Sequence, residues 1–396
     1  MNTRAAAVAS LVLLAGCGGG GSSTPAPNQP LLPNAPATSS PRSAGTATLT
    51  IGVPRTGSSA QRAPKYVSPN SALLDVTVKT VNGQPPTATQ VPPPNPQTFT
   101  LSTAPGGNCT NAPSGETCTV TVPAPTGQVT YQFDLYDAGK AHKLATNTLT
   151  YTIAPGSTQN LQAVLNGIVA TVSVVTPTLN AGTSFSGPIT VRAFDGSGAL
   201  IVGSAPYSNP FTLTDNDATG ATSLTNGGTT ALTVTVGSPN DVVILNFDGQ
   251  DIDPFTISST IPGGSAQTAG TVQITHSPVT FPGTPNDTQR TTDPNYNQPT
   301  LAFTSIPSTK AFTAAQVGWS DHGTHGFTVA LDPATCGSGA AAVVTVVPAP
   351  GTNNRTFNVT SKNPGVCKGT VTGGPPGNPQ SATIWFSVSA TNLILN

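Results

Sequence analysis

From Ala47 onward, apolar side chains recur at every second position, with hydroxyl and other polar side chains between them. Ala47, Leu49, Ile51 and Val53 interleave with Thr46, Thr48 and Thr50, and Leu74, Val76 and Val78 with Asp75, Thr77 and Lys79. Val129, Tyr131, Phe133 and Leu135 alternate with Thr130, Gln132 and Asp134, and Leu149, Tyr151 and Ile153 with threonines. A strand points successive side chains to opposite faces, so each run predicts a half-buried antiparallel strand. Long helices are excluded, because 40 Pro and 41 Gly interrupt the chain too often. Asn82-Gly83, Asp137-Ala138-Gly139, Ala154-Pro155-Gly156, Asp195-Gly196 and Asn226-Gly227 supply turns between the runs. Short strands at this spacing predict an all-β chain of sandwiches.

The alternation falls into three blocks, 46–167, 168–275 and 300–396, each of the size of one seven-strand sandwich. Between the last two, residues 276–299 lose the alternation and fill with Pro, Asn, Asp and Thr, which reads as a linker. Ahead of the first block, residues 17–45 are Gly, Ser, Pro, Asn and Ala without period, the composition of a tether. Such a segment reaches about 25–30 Å. Residues 1–16 carry Arg4, an apolar run from Ala5 to Leu14 and small residues at the end, the layout of a signal peptide. The run is roughly ten residues, too short for a membrane-spanning helix, which needs about 20.

Charged residues are only 7% of the chain and the net charge is −1, with no cluster of Lys or Arg. Neutralising phosphates needs such clusters, so no nucleic-acid partner is expected. Beyond Cys17 lie Cys109, Cys118, Cys336 and Cys367, which allow three pairings. Proximity favours Cys109–Cys118 and Cys336–Cys367, each within one block. In an oxidising compartment these would contribute about 3 and about 4 kcal/mol by restricting the unfolded chain.

Two sets of residues resemble a known family. Leu14-Ala15-Gly16-Cys17 is similar to the lipobox of bacterial lipoproteins. In the third block, Ala334-Thr335-Cys336-Gly337, Thr356-Phe357-Asn358-Val359-Thr360, Pro364-Gly365-Val366-Cys367 and the strand from Ala382 to Val388 are similar to bacterial Ig-like repeats. The chain thus resembles the bacterial Ig-like domain lipoproteins. That resemblance implies cleavage before Cys17, a diacylglycerol on its thiol with further acylation such as palmitate, and tandem Ig-like sandwiches beyond. Several acyl chains hold a protein stably to a membrane where one does not. It further implies a place in the cell envelope and, because Gly18 rather than Asp follows the cysteine, the outer membrane of a diderm host. The partners it implies are the membrane, through the lipid, and a surface protein or glycan. One departure is clear: Trp319 precedes the first cysteine of the third block and Trp385 follows the second, unlike the Cys…Trp…Cys order of antibody domains. The bridge therefore need not occupy the antibody position.

The motifs of common enzymes are missing: no phosphate-cradling Gly-rich loop with Lys, no dinucleotide fingerprint, no nucleophile elbow, no His-Glu-x-x-His. Nor is any stretch left over for a separate catalytic domain, so a non-catalytic protein without a cofactor is expected. Three clusters remain as candidates. In Trp319-Ser320-Asp321-His322-Gly323-Thr324-His325, the side chains of Asp321, His322 and His325 are potential ligands of a divalent metal, although the segment also reads as a polar hairpin turn between the strands at Phe312 and Phe327. Asp215-Asn216-Asp217 and Asp248, Asp251 and Asp253 offer oxygens of the kind calcium takes, or plain Asx turns. Trp319, Trp385, Tyr131, Tyr136 and Tyr151 could form a sugar platform. Tyr131 and Tyr151 are in phase with core positions, whereas Tyr136 and Trp385 are out of phase and expected to be exposed. The alternatives to a spacer or adhesion role are a carbohydrate-binding lipoprotein and a hydrolase with an atypical site.

Overall fold

The computed structural model describes residues 45–54, 67–112, 115–156, 158–288 and 291–389. The signal peptide, Cys17 and nearly all of the tether lie outside them. The regular secondary structure of the described residues is nearly all β-strand, and no helix among them is long and apolar enough to cross a membrane.

The first block folds from β1 (Gly45–Pro54), β2 (Leu73–Val81), β3 (Gln97–Thr100), β4 (Cys109–Ala112), β5 (Gly115–Ala124), β6 (Gly127–Tyr136), β7 (Lys143–Ile153), β8 (Gln159–Gln162) and β9 (Asn166–Gly167). One sheet runs β4-β5-β1-β8 and the other β3-β2-β6-β7-β9. Pairing of β1 with β5, and of β2 with β6, each across a long connection, is the crossing order of an Ig-like sandwich. The alternation sets the register. Leu49, Ile51, Val76, Tyr131 and Phe133 point inward and are buried, while Thr130 and Thr150 face each other across the outer surface, 3.0 Å apart.

The second block contains β10 (Thr171–Val175), β11 (Thr178–Asn180), β12 (Phe185–Pro188), β13 (Thr190–Phe194), β14 (Phe211–Asp215), β15 (Thr222–Asn226), β16 (Thr229–Ala231), β17 (Thr233–Val236), β18 (Ile244–Phe247), β19 (Phe255–Thr260) and β20 (Gln267–Thr275). A 5-stranded sheet β11-β20-β19-β14-β17 faces a 4-stranded sheet β12-β18-β15-β16, with β10 and β13 paired alongside. The third block is the plainest: β21 (Thr300–Phe303), β22 (Thr309–Thr313), β23 (Thr328–Leu331), a one-turn helix α1 (Pro333–Cys336), β24 (Val344–Pro348), β25 (Thr356–Ser361), β26 (Gly365–Gly373) and β27 (Gln380–Val388). Its sheets, β21-β27-β26-β23 and β22-β25-β24, have the Ig-like order, and first and last strands pair in parallel, as β11 and β20 do in the second block.

Both disulfides favoured by proximity are formed. Cys109–Cys118 joins the facing residues of β4 and β5 within one sheet, and Cys336–Cys367 ties α1 to β26. Neither joins the two strands that the antibody bridge does.

Residues 276–299 do not behave as a free linker. Val279 and Phe281 belong to the buried core of the third sandwich, and Thr280 bridges Ala315 in antiparallel fashion. Alternation cannot reveal so short an edge segment, because only two of its side chains turn inward. The buried apolar cluster of the first sandwich is continuous with that of the second, whereas the third has its own.

Candidate functional site

Two of the sequence clusters, 248–253 and 319–325, meet at the boundary of the second and third sandwiches. The loop after β18 brings in Asp248, Gly249, Gln250, Asp251 and Asp253, and the end of β20 adds His276. From the third sandwich come the connection between β22 and β23, carrying Gln316 to Gly326, and the β26–β27 turn.

Asp251 is at the centre, with no exposed surface. Its Oδ1 lies 2.7 Å from His276 Nδ1, its Oδ2 accepts from Gln316 Nε2 at 2.8 Å, and its backbone N–H donates to the Gly318 carbonyl at 2.9 Å. Burial pushes the Asp251 carboxyl above the ordinary carboxylate value, against the lowering effect of His276, the Ser277 backbone and Gln316. Gln316, also fully buried, donates to the Ser277 carbonyl at 2.9 Å as well. At the far side Asp253 accepts from the Gly377 N–H and the Asn378 amide, both at 3.0 Å.

Glycines let the two backbones touch. Within the second sandwich Gly182 donates to the Gly249 carbonyl at 2.7 Å, and Gly318 of the third packs on that pair. A Cβ on Gly318 would stand 2.6 Å from the Gly182 nitrogen and 2.7 Å from the Gly249 oxygen, at a φ of +81° that disfavours other residues. A Cβ on Gly377 would meet an Asp253 carboxylate oxygen at 2.6 Å.

The metal candidates have mainly structural partners. His325 stacks on Trp319 with ring centroids 4.1 Å apart, and its Nε2 is 2.9 Å from Gln250 Nε2. Burial, then repulsion from His322 and Arg355, lowers the His325 pKa. His322 Nδ1 is 3.9 Å from Asp248 Oδ2, and Asp321 is exposed. Asp321, His322 and His325 do not bring three ligand atoms within 4.8 Å of one another; among the described residues Cys109, Glu116 and Cys118 do, but both sulfurs are in a disulfide. The segment is not a hairpin turn, since β22 and β23 lie in different sheets and the loop crosses between them.

The remaining candidates are likewise absorbed into the fold. Asp215 and Asp217 are buried; Asp215 accepts from the Asp217 N–H and the Thr222 hydroxyl, and Asp217 from the hydroxyls of Thr219 and Thr222. They are Asx-type braces, and burial raises the Asp215 pKa. Trp385, expected to be exposed, is 8% exposed, because β27 is an inner strand whose two faces are both covered. Tyr131 is fully buried, Tyr151 and Trp319 are half-buried, and Tyr136 lies under the ammonium groups of Lys140 and Lys143, at 5.4 and 5.7 Å. Tyr296 is the exposed aromatic among the described residues. A shallow cleft of about 290 Å³ in the second sandwich is lined by Leu200, Val202, Arg192, Tyr207 and Asn240 among others.

The first and second sandwiches also exchange polar contacts where they meet. Ser208 donates to the Gly167 carbonyl and Asn70 donates to the Ser197 hydroxyl at 3.1 Å, while beside them, within the second sandwich, Asn209 accepts from the Val169 N–H at 2.7 Å and donates to its carbonyl at 2.9 Å. Gly196 sits against His142, 2.8 Å from where its Cβ would be. His276, Gln316, Gly182 and Gly318 carry no motif; the sequence signal for the joint was only the unexplained density of polar residues at 248–253 and 319–325.

No family model matches the chain, and no curated protein does. Among solved structures, the titin I-band fragment I67–I69 overlaps 88% of this chain and 93% of its own at 8% identity, with a TM-score of 0.27. The three N-terminal domains of the bacteriophage RB49 outer capsid protein Hoc overlap 82% and 90% at 10% identity, TM-score 0.21. Domains 4 and 5 of the S-layer protein SbsC overlap 57% and 100% at 14% identity, TM-score 0.20. Likeness at this level carries no argument about function. The strand order alone makes this a chain of tandem Ig-like β-sandwiches.

Proposed function

We propose that the chain is a non-catalytic, lipid-anchored protein of the bacterial cell envelope, whose sandwiches act as a fixed spacer between the membrane and whatever the outer surface meets. The supporting observation is where the loops go. In variable-type Ig domains, the loops between the second and third and between the last two strands of the fold bind ligands. In the third sandwich both of these, 314–327 and 374–379, are engaged by the second. In the first sandwich the corresponding loops contribute Asn70 and His142 to contacts with 196–197 of the second. Loops used to fix neighbours leave the sandwiches holding a set geometry, which suits spacing better than capture.

The test is metabolic labelling of the full chain with radioactive palmitate in a bacterial host, followed by fractionation. Label on the wild type, lost together with membrane association in Cys17→Ser, is the expected result. An unlabelled protein, or membrane association that persists in Cys17→Ser, defeats the anchored reading.

A further inference from the structure

Strand pairing in the second sandwich leaves a gap. β13 bonds β10 along one of its edges. Successive peptide groups of a strand point to alternate sides, so the other edge presents the backbone groups of Ile189, Val191 and Ala193. Ile189 gives its N–H to the Val243 carbonyl at 2.9 Å, and the Ala193 carbonyl accepts from Ile201 at 2.8 Å. Between them, the N–H and C=O of Val191 have no hydrogen-bond partner among the described residues. The register accounts for this. β12 and β18 pair Pro188 with Ile244, so a longer β18 would set Asp241 opposite Val191 and Asn240 opposite Arg192. Pairing instead ends at Val243, and the chain turns, the Asp241 N–H donating to the Ser238 carbonyl at 3.2 Å. Val191, Arg192 and Asn240 thereby line the cleft of about 290 Å³.

An unpaired strand edge is a template for another extended chain, whose main-chain groups it recognises. Leu200 and Val202, exposed at 41% and 48%, flank the opening with apolar surface. Charge supplies the selectivity. Arg192 is the only Lys or Arg in residues 168–275, against seven Asp, and it lies exposed on the cleft. Among the described residues no carboxylate pairs with it. We propose that this cleft binds an extended acidic peptide segment of a partner protein. One residue of the segment exchanges both main-chain hydrogen bonds with Val191, and the acidic residue before it lies opposite Arg192. Side chains directly opposed on neighbouring strands have Cβ atoms about 4.5–5.5 Å apart, within reach of a guanidinium–carboxylate pair. The four residue steps from Ile189 to Ala193 span about 13 Å, so the segment lays two or three residues on the edge and leaves again at Ile201. The chain does not supply the acid itself: residues 1–44, 55–66, 113–114, 157, 289–290 and 390–396, outside the described ones, contain no Asp or Glu. The cleft is lined by the second sandwich alone, so the segment attaches to the spacer without entering either joint.

The experiment follows the fluorescence anisotropy of a labelled peptide, acetyl-Ser-Glu-Val-Thr-Ser-amide, titrated with the full chain carrying Cys17→Ser. Saturable binding is expected. Exchanging the peptide's Glu for Gln, or methylating the main-chain nitrogen of its Val, each weakens binding at least about tenfold. Arg192→Glu loses the Glu peptide and binds the same peptide with Lys in its place. Arg192 is exposed, so the melting temperature of Arg192→Glu should match the parent. Absence of saturable binding up to about 1 mM overturns the proposal. So does equal binding of the Glu and Gln peptides, or binding that survives the methylation. Self-association of the chain that Arg192→Glu abolishes also overturns it, because the occupant is then a second copy.

Discussion

At the scale of single residues, Asp251 and Gly318 carry the account. A carboxylate without exposed surface is tolerable only while its oxygens are hydrogen-bonded, and Asp251 depends on His276 and Gln316 for that. Asp251→Ala takes an acceptor from the half-buried His276 and from the fully buried Gln316, and should lower stability by about 3 kcal/mol in denaturant titrations. The pH dependence has a definite sign. Because the folded carboxyl titrates above its ordinary value of 3.8, it favours the folded state most below that value, and the advantage is lost as pH rises through the raised pKa. The stability of the wild type relative to Asp251→Asn should therefore fall as pH rises above the ordinary carboxylate value of 3.8. His276 is the titratable group facing Asp251, so the comparison should be repeated in His276→Gln. Gly318→Ala sets a methyl group against two backbone atoms at a positive φ, and should cost about 1–3 kcal/mol. Limited proteolysis should then cut sooner near 248–253 and 316–326.

At the scale of elements, strands were the most legible part of the chain, because alternation reports which face is buried and needs no knowledge of the partner. The apolar members of the Leu74–Val78 and Val129–Leu135 runs are buried as their phase requires. Phase fails where both faces of a strand are covered: Ile384, Trp385 and Phe386 are consecutive and all buried, so the exposure expected of Trp385 was wrong. It fails again for 314–327, since a loop that returns to its own sheet and one that crosses to the other have the same composition. The joint itself was invisible for a related reason. Its contacts join residues such as Gln316 and Asp251 or Asp253 and Asn378, and nothing local records such a pairing. Disulfides were readable because proximity in sequence coincided with facing positions in space. The bridges close segments of 9 and 31 residues, so removing Cys336–Cys367 should cost about 4 kcal/mol and removing Cys109–Cys118 about 3, measured as separate double Cys→Ser variants.

For the whole molecule, the two joints differ in kind. The first and second sandwiches share a continuous apolar cluster, whereas the third keeps its own core and meets the second through hydrogen-bonded polar groups and glycine contacts. Calorimetry should accordingly resolve the first two sandwiches melting together and the third melting separately, a single transition being the opposing result. A spacer requires the second and third sandwiches to be held in one fixed relation. That relation is tested most directly by electron–electron distance measurement between spin labels at Val242→Cys and Val347→Cys, two exposed sites, in a Cys17→Ser background with the disulfides intact. A single narrow distance distribution that broadens in Gly318→Ala is the predicted result, and a broad distribution in the parent protein would contradict it.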